Sequence, residues 1–187
     1  MKLDKPRIPP LPESEWNETA RHTLREVKVG TGAVPNIFRT LANHPDLMKR
    51  WLVFGNHVLF KSTVPARERE LVILRIGWLC EAEYEWAQHV RIGRQCGLTD
   101  EEIRRIKIGP TAAGWSEQDV LLLKATDELY KDACITDSTW AGLCRYYDTP
   151  QLMDLVFAIG QYNLVSMVLN TFGVQLDDDL DTSFANT

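Results

Sequence analysis

The sequence has no concentration of positive charge and nothing that points to a nucleic acid. Its 26 acidic residues outnumber its 21 lysines and arginines, which gives a formal net charge of −5 at pH 7. The basic residues are scattered among the acidic ones, whereas binding to a phosphate backbone needs a basic patch. We therefore expect no nucleic-acid partner.

The sequence also shows no signal for a membrane or for secretion. No apolar run reaches the roughly 20 residues that a membrane-spanning helix needs. The N-terminal stretch MKLDKPRIPPLPESEW contains no apolar core of the kind that a signal peptide requires. These absences predict a cytoplasmic protein that has no membrane partner.

Cysteine is scarce, and its spacing matches no known framework. Cys80, Cys96, Cys134 and Cys144 form no CxxC pair and no metal-finger spacing. In a reducing compartment they are expected to be free, buried thiols. The loop GTGAVPN has two glycines but lacks the GxGxxG pattern, so a phosphate-binding loop is not expected either.

Strand-like alternation of apolar and polar residues is absent as well, which predicts an all-α helical bundle with no significant sheet. The 187 residues, 44% of them apolar and 25% charged, suffice for one soluble domain. Four prolines favour an extended N-terminal arm over residues 1–12. A single helical domain is predicted over residues 13–176, followed by an acidic tail over residues 177–187.

Local start signals divide this domain into helices. A first helix is predicted to begin at Ser14 and to run to about Lys28. Thr99 and Glu102 form a capping box, and Pro150 opens the last long helix. That last helix is apolar on nearly all sides, so it should be buried centrally or at a subunit interface.

The most informative stretch, residues 65–97, holds three side chains that are candidates for proton transfer. Glu85 and His89 lie four residues apart and therefore share one face of a helix. Glu70 belongs to the preceding helix, and it meets that face if the two helices pack antiparallel. Two carboxylates and an imidazole in apolar surroundings are the components of an acid–base site. The alternative is an ordinary surface pair of Glu85 and His89 that only supports its helix.

Several segments resemble the carboxymuconolactone decarboxylase family, which includes the alkylhydroperoxidase D-like proteins. The matching segments are PNIFRTLANHP, RERELVILRIGWLCEAEYEWAQHV, GLTDEE, STWAGL, DLVFAIGQYN and NTFGV. The resemblance implies an all-helical subunit that assembles into a homo-oligomer, either a trimer or a hexamer. It also implies a pocket lined by the central helices, often close to a subunit interface.

The family that the sequence resembles has two branches, one of peroxidases and one of decarboxylases. In the peroxidase branch, a CxxC pair precedes the histidine, and a glutamate on the earlier helix supplies protons to that pair. Glu70 and His89 match the glutamate and the histidine, but Ala82 and Glu85 stand where the cysteines should be. Peroxide reduction needs a thiolate and a resolving thiol, so dithiol peroxidase activity is expected to be absent.

The EWAQH form of the central segment resembles the decarboxylase branch. That branch implies a cofactor-independent lyase, decarboxylase or isomerase that acts on a small organic acid or lactone, in the catabolism of aromatic compounds. His89 and Glu85 are then predicted to transfer protons, with Glu70 orienting His89 or acting as a second acid. The resemblance does not select the substrate.

Four more side chains are candidates for binding this acidic substrate. Arg75 or Arg91 would hold its carboxylate, although either arginine could equally be a surface charge. Tyr84 and His57 are candidate pocket residues, and for His57 an ordinary core or boundary position is the alternative.

Three other functions stay open. The first is an antioxidant activity through Cys80 or Cys96. The second is a metal site made by Glu81, Glu85 and His89, whose i, i+4 and i+8 spacing suits hard or borderline ions. The third is a non-catalytic protein that binds a ligand through the same pocket. We expect no metal and no cofactor, because the resemblance requires neither.

Overall fold

The computed structural model describes residues 3–25, 27 and 33–180, and these ranges are helical, with no β-strand among them. The predicted all-α class is confirmed. A 3-10 turn at Glu13–Glu15 precedes the first helix, and a π-helical turn at His57–Lys61 extends the third. The α-helices of the described ranges are α1 (Glu18–Leu24), α2 (Asn36–Leu41), α3 (Pro45–Asn56), α4 (Ala66–Leu79), α5 (Glu83–Gln95), α6 (Asp100–Ile108), α7 (Glu117–Asp132), α8 (Asp137–Leu143) and α9 (Thr149–Phe172).

Side-chain caps fix several of the helix starts. Thr99 and Glu102 form the predicted capping box at α6, and Asp148 forms a second one at α9. Each cap satisfies backbone N–H groups that have no partner inside the helix. The last helix therefore begins where its proline predicts.

The first helix begins later than the sequence indicates. Asn17 caps α1 by accepting a hydrogen bond from the backbone N–H of Ala20, whereas Ser14 lies inside the 3-10 turn and caps nothing. The predicted start at Ser14 is wrong, because the asparagine three residues on provides the better-placed cap. The predicted end at Lys28 lies outside the described residues.

Helix α4 forms the centre of the fold. It packs against α5, α7 and α9, and all of its residues from 69 to 77 are buried. A helix that is buried on every side must also bury its polar residues, and a buried charge is costly unless it has a partner. The charged residues of α4 therefore need partners on the neighbouring helices.

A tight turn reverses the chain between α4 and α5. Glu81 has a φ of 51°, a left-handed conformation, and the backbone N–H of Ala82 donates to the carbonyl of Gly77. Asn170 on α9 donates to the carbonyl oxygen of Cys80 at 2.8 Å and so anchors the turn. The turn makes α4 and α5 antiparallel neighbours, which is the arrangement that brings Glu70 to the face of Glu85 and His89.

Helix α9 is apolar on two opposite sides. Its inner side is buried, while its outer side exposes about half or more of the side chains of Met153, Phe157, Leu164 and Met167. By length and composition α9 could cross a membrane, although half of its most apolar window is buried inside the fold, as in the core helix of a soluble protein. The expectation that no segment is apolar enough to span a membrane is thus wrong for α9.

The two ends of the described chain lie along this helical body. Backbone N–H groups of Arg7 and Ile8 donate to the carbonyl of Phe172 at the end of α9. Asp177 accepts hydrogen bonds from the backbone of Asn36 at 2.7 Å and from the hydroxyl of Tyr84 at 2.6 Å. The division into arm, domain and tail stays a prediction.

Candidate active site

The three predicted acid–base residues meet between α4 and α5. His89 lies between the two carboxylates, with its Nδ1 2.7 Å from Glu70 Oε2 and its Nε2 2.9 Å from Glu85 Oε1. All three are buried: Glu70 is 0% exposed, Glu85 3% and His89 5%. This burial excludes the alternative in which Glu85 and His89 are a surface pair.

Glycines let the two helices approach closely at this point. A Cβ added at Gly77 of α4 would lie 3.4 Å from Glu85 Cγ on α5. One added at Gly93 of α5 would lie 3.2 Å from a methyl carbon of Leu74 and 3.9 Å from Glu70 Cβ. The aliphatic part of each glutamate thus lies close to a glycine of the opposite helix, so the two helices can approach at the level of the site.

The two contacts of the imidazole differ in quality. The contact to Glu70 is a hydrogen bond, whereas the contact to Glu85 is close but poorly aligned. Glu85 Oε1 is a buried oxygen that accepts no hydrogen bond from any described residue. A buried acceptor without a partner costs about 1–3 kcal/mol, so this oxygen is a group that a bound ligand could satisfy.

The carboxylates set the charge of the imidazole. Burial lowers the pKa of His89, but the negative charges of Glu85 and Glu70 outweigh burial and raise that pKa from 6.5 to about 10. At neutral pH His89 is therefore an imidazolium and can donate a proton. The site combines a proton donor, His89, with a carboxylate oxygen, Glu85 Oε1, that lies 2.9 Å from it without a well-aligned hydrogen bond. These are the groups that general acid–base chemistry needs.

Sequence reasoning missed Arg69 and Tyr162. Arg69 Nε donates to Glu70 Oε1 at 3.3 Å, so Arg69 extends the row of charges by one residue. The ring of Tyr162, on α9, stands edge-on to the His89 ring with centroids 4.8 Å apart. The available signals were the position of Arg69 beside Glu70 and the rarity of polar residues on α9.

Burial and charge keep the Tyr162 phenol neutral. Burial raises its pKa well above the usual value, the charges of Glu85 and Glu70 raise it further, and Arg69 partly opposes them. The hydroxyl makes no hydrogen bond to any other described residue. Tyr162 therefore stays protonated and can donate a hydrogen bond beside the charged residues of the site.

Arg75, a candidate for substrate binding, is bonded elsewhere. Its Nε and Nη2 donate to the two oxygens of Asp127 at 2.6 and 2.9 Å. Its Nη1 donates to the backbone carbonyls of Ile106 and Lys107 at 2.8 and 3.1 Å. These contacts tie α4 to α6 and α7.

Arg91 and Tyr84 lie on another side of α5. Arg91 donates to Gln88 at 2.7 Å and to Asp179 at 3.3 Å, and Tyr84 donates to Asp177. Arg91 helps to line a cavity of about 390 Å³ that none of the three acid–base residues lines. Its lining residues are Ala33, Val34, Pro35, Asn36, Arg39, Gln88, Arg91, Asp177, Asp178 and Asp179.

His57 is exposed, and its Nε2 lies 3.1 Å from Asp154 Oδ1. Asp154 also accepts from the backbone and the hydroxyl of Thr63 at 2.6 and 2.8 Å. No contact of the described residues joins His57 to Glu70, Glu85 or His89. The roles of Arg75, Arg91, Tyr84 and His57 in substrate binding stay predictions.

The thiols near the site are not activated. Burial raises the pKa of the Cys80 thiol, and the charge of Glu85 raises it further. A hydrogen bond from Ser166 lowers this pKa, but by less than burial raises it. Burial and the charge of Glu70 likewise raise the pKa of Cys96. A reactive cysteine needs a lowered pKa. Within the described residues, no group of three or more ligating side chains is placed to hold a metal ion, so the geometry does not support the metal alternative.

Comparison with known proteins gives a family and a fold. Residues 45–128 match the model of the carboxymuconolactone decarboxylase family. An alkylhydroperoxidase AhpD core, an uncharacterized peroxidase-related protein from Ralstonia eutropha JMP134, superposes with a TM-score of 0.83 at 19% identity, covering 93% of each chain. No curated protein matches the sequence.

Two further solved structures share the fold. An uncharacterized peroxidase-related protein from Silicibacter sp. TM1040 has a TM-score of 0.74 at 16% identity, covering 98% of this chain and 95% of that one. A debrominase in complex with 2,3,4-tribromopyrrole has a TM-score of 0.74 at 14% identity, covering 95% of each chain. At these identities the superpositions establish the fold alone. The segment that carries Glu70, Glu85 and His89 lies within the residues that match the carboxymuconolactone decarboxylase family model, as its sequence motifs predict.

Proposed function

We propose that the protein is a cofactor-independent enzyme that uses Glu85 and His89 for acid–base catalysis on a small organic acid or lactone. The leading reaction is decarboxylation, and isomerisation by proton transfer is the close alternative. The observation that carries the proposal is the buried imidazolium of His89 held beside Glu85 Oε1, a carboxylate oxygen without a hydrogen bond.

The decarboxylation needs no redox partner. The bond between the carboxylate carbon and the adjacent carbon breaks, CO2 leaves, and the electron pair moves into a neighbouring carbonyl as an enolate. His89 then donates its proton to the carbon, the enolate collapses to the carbonyl, and Glu85 stabilises the imidazolium before transfer. Glu70 holds Nδ1 of His89 at 2.7 Å and thereby directs Nε2 toward Glu85 and the substrate.

Substitutions at the pair test this proposal. Acidic lactones and β-keto acids are screened for CO2 release, and the acid that turns over is assayed with Glu85→Gln and His89→Gln. We expect each variant to lose roughly 10²–10⁴-fold in turnover, the usual contribution of a positioned acid or base. Glu101→Gln and His22→Gln, which alter exposed residues outside the site, should keep full activity. Full activity in both site variants would falsify the assignment.

Thiol-dependent peroxide reduction is the competing function, because two solved relatives are named as peroxidase-related. Against it stand Ala82 and Glu85 at the expected cysteine positions and the raised pKa values of Cys80 and Cys96. Hydroperoxide consumption with a dithiol reductant distinguishes the two. We expect no turnover above the enzyme-free control, and turnover that disappears on thiol alkylation would favour the peroxidase.

The proposal includes a homo-oligomer, a trimer or a hexamer, in the cytoplasm. The exposed residues Met153, Phe157, Leu164 and Met167 are spaced four, seven and three residues apart, which aligns them along one face of α9. An exposed apolar face of this kind is typical of an interface. Sedimentation velocity should show an assembly that Phe157→Glu dissociates, and a wild-type monomer would contradict this part.

A further inference from the structure

The five residues of the site are not equally buried. Glu70 is innermost with 0% of its surface exposed, followed by Glu85 at 3% and His89 at 5%, whereas Arg69 and Tyr162 reach 8% each. Arg69 and Tyr162 are therefore the two members of the site that keep the most contact with solvent, and we call them its outer end.

Arg69 has hydrogen-bonding capacity to spare. A guanidinium carries five N–H donors, and among the described residues Arg69 makes one hydrogen bond, from Nε to Glu70. Its two Nη groups, which form the end of the fork that binds a carboxylate, make no hydrogen bond there. Arg75 on the same helix shows the contrary state, since each of its three nitrogens donates to Asp127 or to a carbonyl.

Tyr162 supplies a second free donor at the same place. Its ring is fixed against His89, and its hydroxyl makes no hydrogen bond to a described residue. Arg69 belongs to the same group of contacts through Glu70, which bonds Arg69 with one carboxylate oxygen and His89 with the other. Burial prevents the phenol from ionising, so it remains a donor over the whole working pH range.

The end of the site formed by Arg69 and Tyr162 has free hydrogen-bond donors but, among the described residues, no negatively charged group to accept from them. Arg69 and the His89 imidazolium are balanced by Glu70 and Glu85, but both carboxylates lie on the inner side, next to His89. The outer end then presents donors of Arg69 and Tyr162 with no acceptor. No described residue accepts a hydrogen bond from the Nη groups of Arg69 or from the Tyr162 hydroxyl, so these donors are available to an anion.

We propose that Arg69 and Tyr162 together bind the carboxylate of the substrate and orient the adjoining carbon toward His89 and Glu85. This inference rests on the proposed acid–base function and adds to it the residues that recognise a small carboxylic acid. Arg69 binds through its free Nη groups and Tyr162 through its hydroxyl. Arg75 and Arg91, which have partners of their own, are not needed for this recognition.

The test uses acetate as the anionic probe and acetamide as its neutral analogue of similar shape, titrated into the whole protein and followed by NMR. We expect the wild type to bind acetate at least tenfold more tightly than acetamide. Arg69→Gln should lose about 10–100-fold in acetate affinity, the usual loss for a charge-assisted hydrogen bond of 1.5–3 kcal/mol. Tyr162→Phe, which keeps the ring on His89, should lose several-fold, and Arg69→Lys should retain part of the affinity.

Arg67→Gln is the control for the loss of a positive charge on α4, because Arg67 pairs with Asp119 and Glu102 away from the site. It should bind acetate as the wild type does. Equal affinity of the wild type for acetate and acetamide would overturn the inference, and so would unchanged acetate affinity in Tyr162→Phe and Arg69→Lys together. These two conservative variants decide the question if Arg69→Gln does not fold.

Glu85→Gln separates this inference from the proposed function. The variant lacks a negative charge at the inner end and should bind acetate at least as tightly as the wild type while its turnover is lost. If acetate binding fails but Glu85→Gln still loses turnover, only the carboxylate-binding role of Arg69 and Tyr162 is wrong. If acetate binds as expected but Glu85→Gln keeps full turnover, only the acid–base function is wrong.

Discussion

Helix α4 carries two buried clusters of charge that differ in how completely they are satisfied. At Arg75 every nitrogen of the guanidinium has an acceptor, provided by Asp127 and two backbone carbonyls. Six residues earlier, Arg69 has spare donors, and Glu85 on α5 has an oxygen without a hydrogen bond. Arg75 and Arg69 are both buried, so burial of the arginine alone does not distinguish a structural ion pair from a catalytic site.

The difference lies in the unmatched atoms. A substrate could bind at a fully hydrogen-bonded buried ion pair only by breaking that pair. An unmatched buried atom is tolerated at a cost, and such costs are typical of sites that complete their hydrogen bonds with a ligand. Substitutions in the first cluster should therefore affect folding, and substitutions in the second should affect turnover.

The largest expected effect is on catalysis, in the unsatisfied cluster. In Glu85→Gln the side chain keeps its shape but loses the negative charge that stabilises the His89 imidazolium, so turnover should fall by roughly 10²–10⁴-fold. The same variant should retain its helical circular dichroism and its assembly state. A loss of activity that exactly follows a loss of folded protein would remove the contrast between the two clusters.

The next effect is on stability, in the satisfied cluster. Arg75→Met leaves Asp127 and two carbonyls without their donor, and breaking a buried ion pair costs about 3–5 kcal/mol. Because Asp127 is one-third exposed, we expect the lower part of that range. Urea unfolding measures it, with Arg104→Gln as the control in an exposed pair, where the change should stay within about 0.5 kcal/mol. The folded fraction of Arg75→Met should turn over substrate normally.

A third effect links the unsatisfied cluster to pH. The pKa of His89 is about 10 in the folded protein and near 6.5 when unfolded. Between these values the folded state holds one proton more than the unfolded state, so the stabilisation is complete below pH 6.5 and is lost as the pH rises toward 10. The slope approaches about 1.4 kcal/mol per pH unit for one proton.

Urea unfolding at several pH values detects this slope when the wild type is compared with His89→Gln. The variant cannot take up the extra proton, so its stability should decline less steeply over the same range. The difference between the two curves isolates His89 from the other groups that titrate there. Parallel curves would mean that His89 is neutral in the folded protein.

These contrasts also show what the sequence could predict. Helix type, several caps and the meeting of Glu85 with His89 follow from local spacing, and Glu70 joins them because α4 and α5 are linked by a short turn. The partners of Arg75 and the position of Tyr162 depend on how α4 packs against α7 and α9, which no local pattern specifies. The lack of a hydrogen bond at Glu85 Oε1 depends on side-chain torsion angles, which no pattern in the sequence specifies.

The smallest expected effect tests whether the glycines at the crossing of α4 and α5 serve the site. A Cβ at Gly77 would lie 3.4 Å from Glu85 Cγ, at the tight end of van der Waals contact, so Gly77→Ala should press on that side chain without blocking the packing. The helix gains up to about 1 kcal/mol from alanine, which offsets the tighter contact and leaves stability nearly unchanged. Turnover should still fall several-fold, because proton transfer depends on the distance from Glu85 to His89.

Gly55→Ala is the matched control for this change. A Cβ at Gly55 on α3 would meet Gln161 and Trp51 at 3.8 Å, an ordinary van der Waals distance, so the variant should gain stability from helix propensity and keep its turnover. Steady-state kinetics and urea unfolding on both variants separate the two roles of a helical glycine. If Gly77→Ala behaves like Gly55→Ala in both measurements, then the close approach of α4 and α5 is a feature of packing and does not position Glu85 for catalysis.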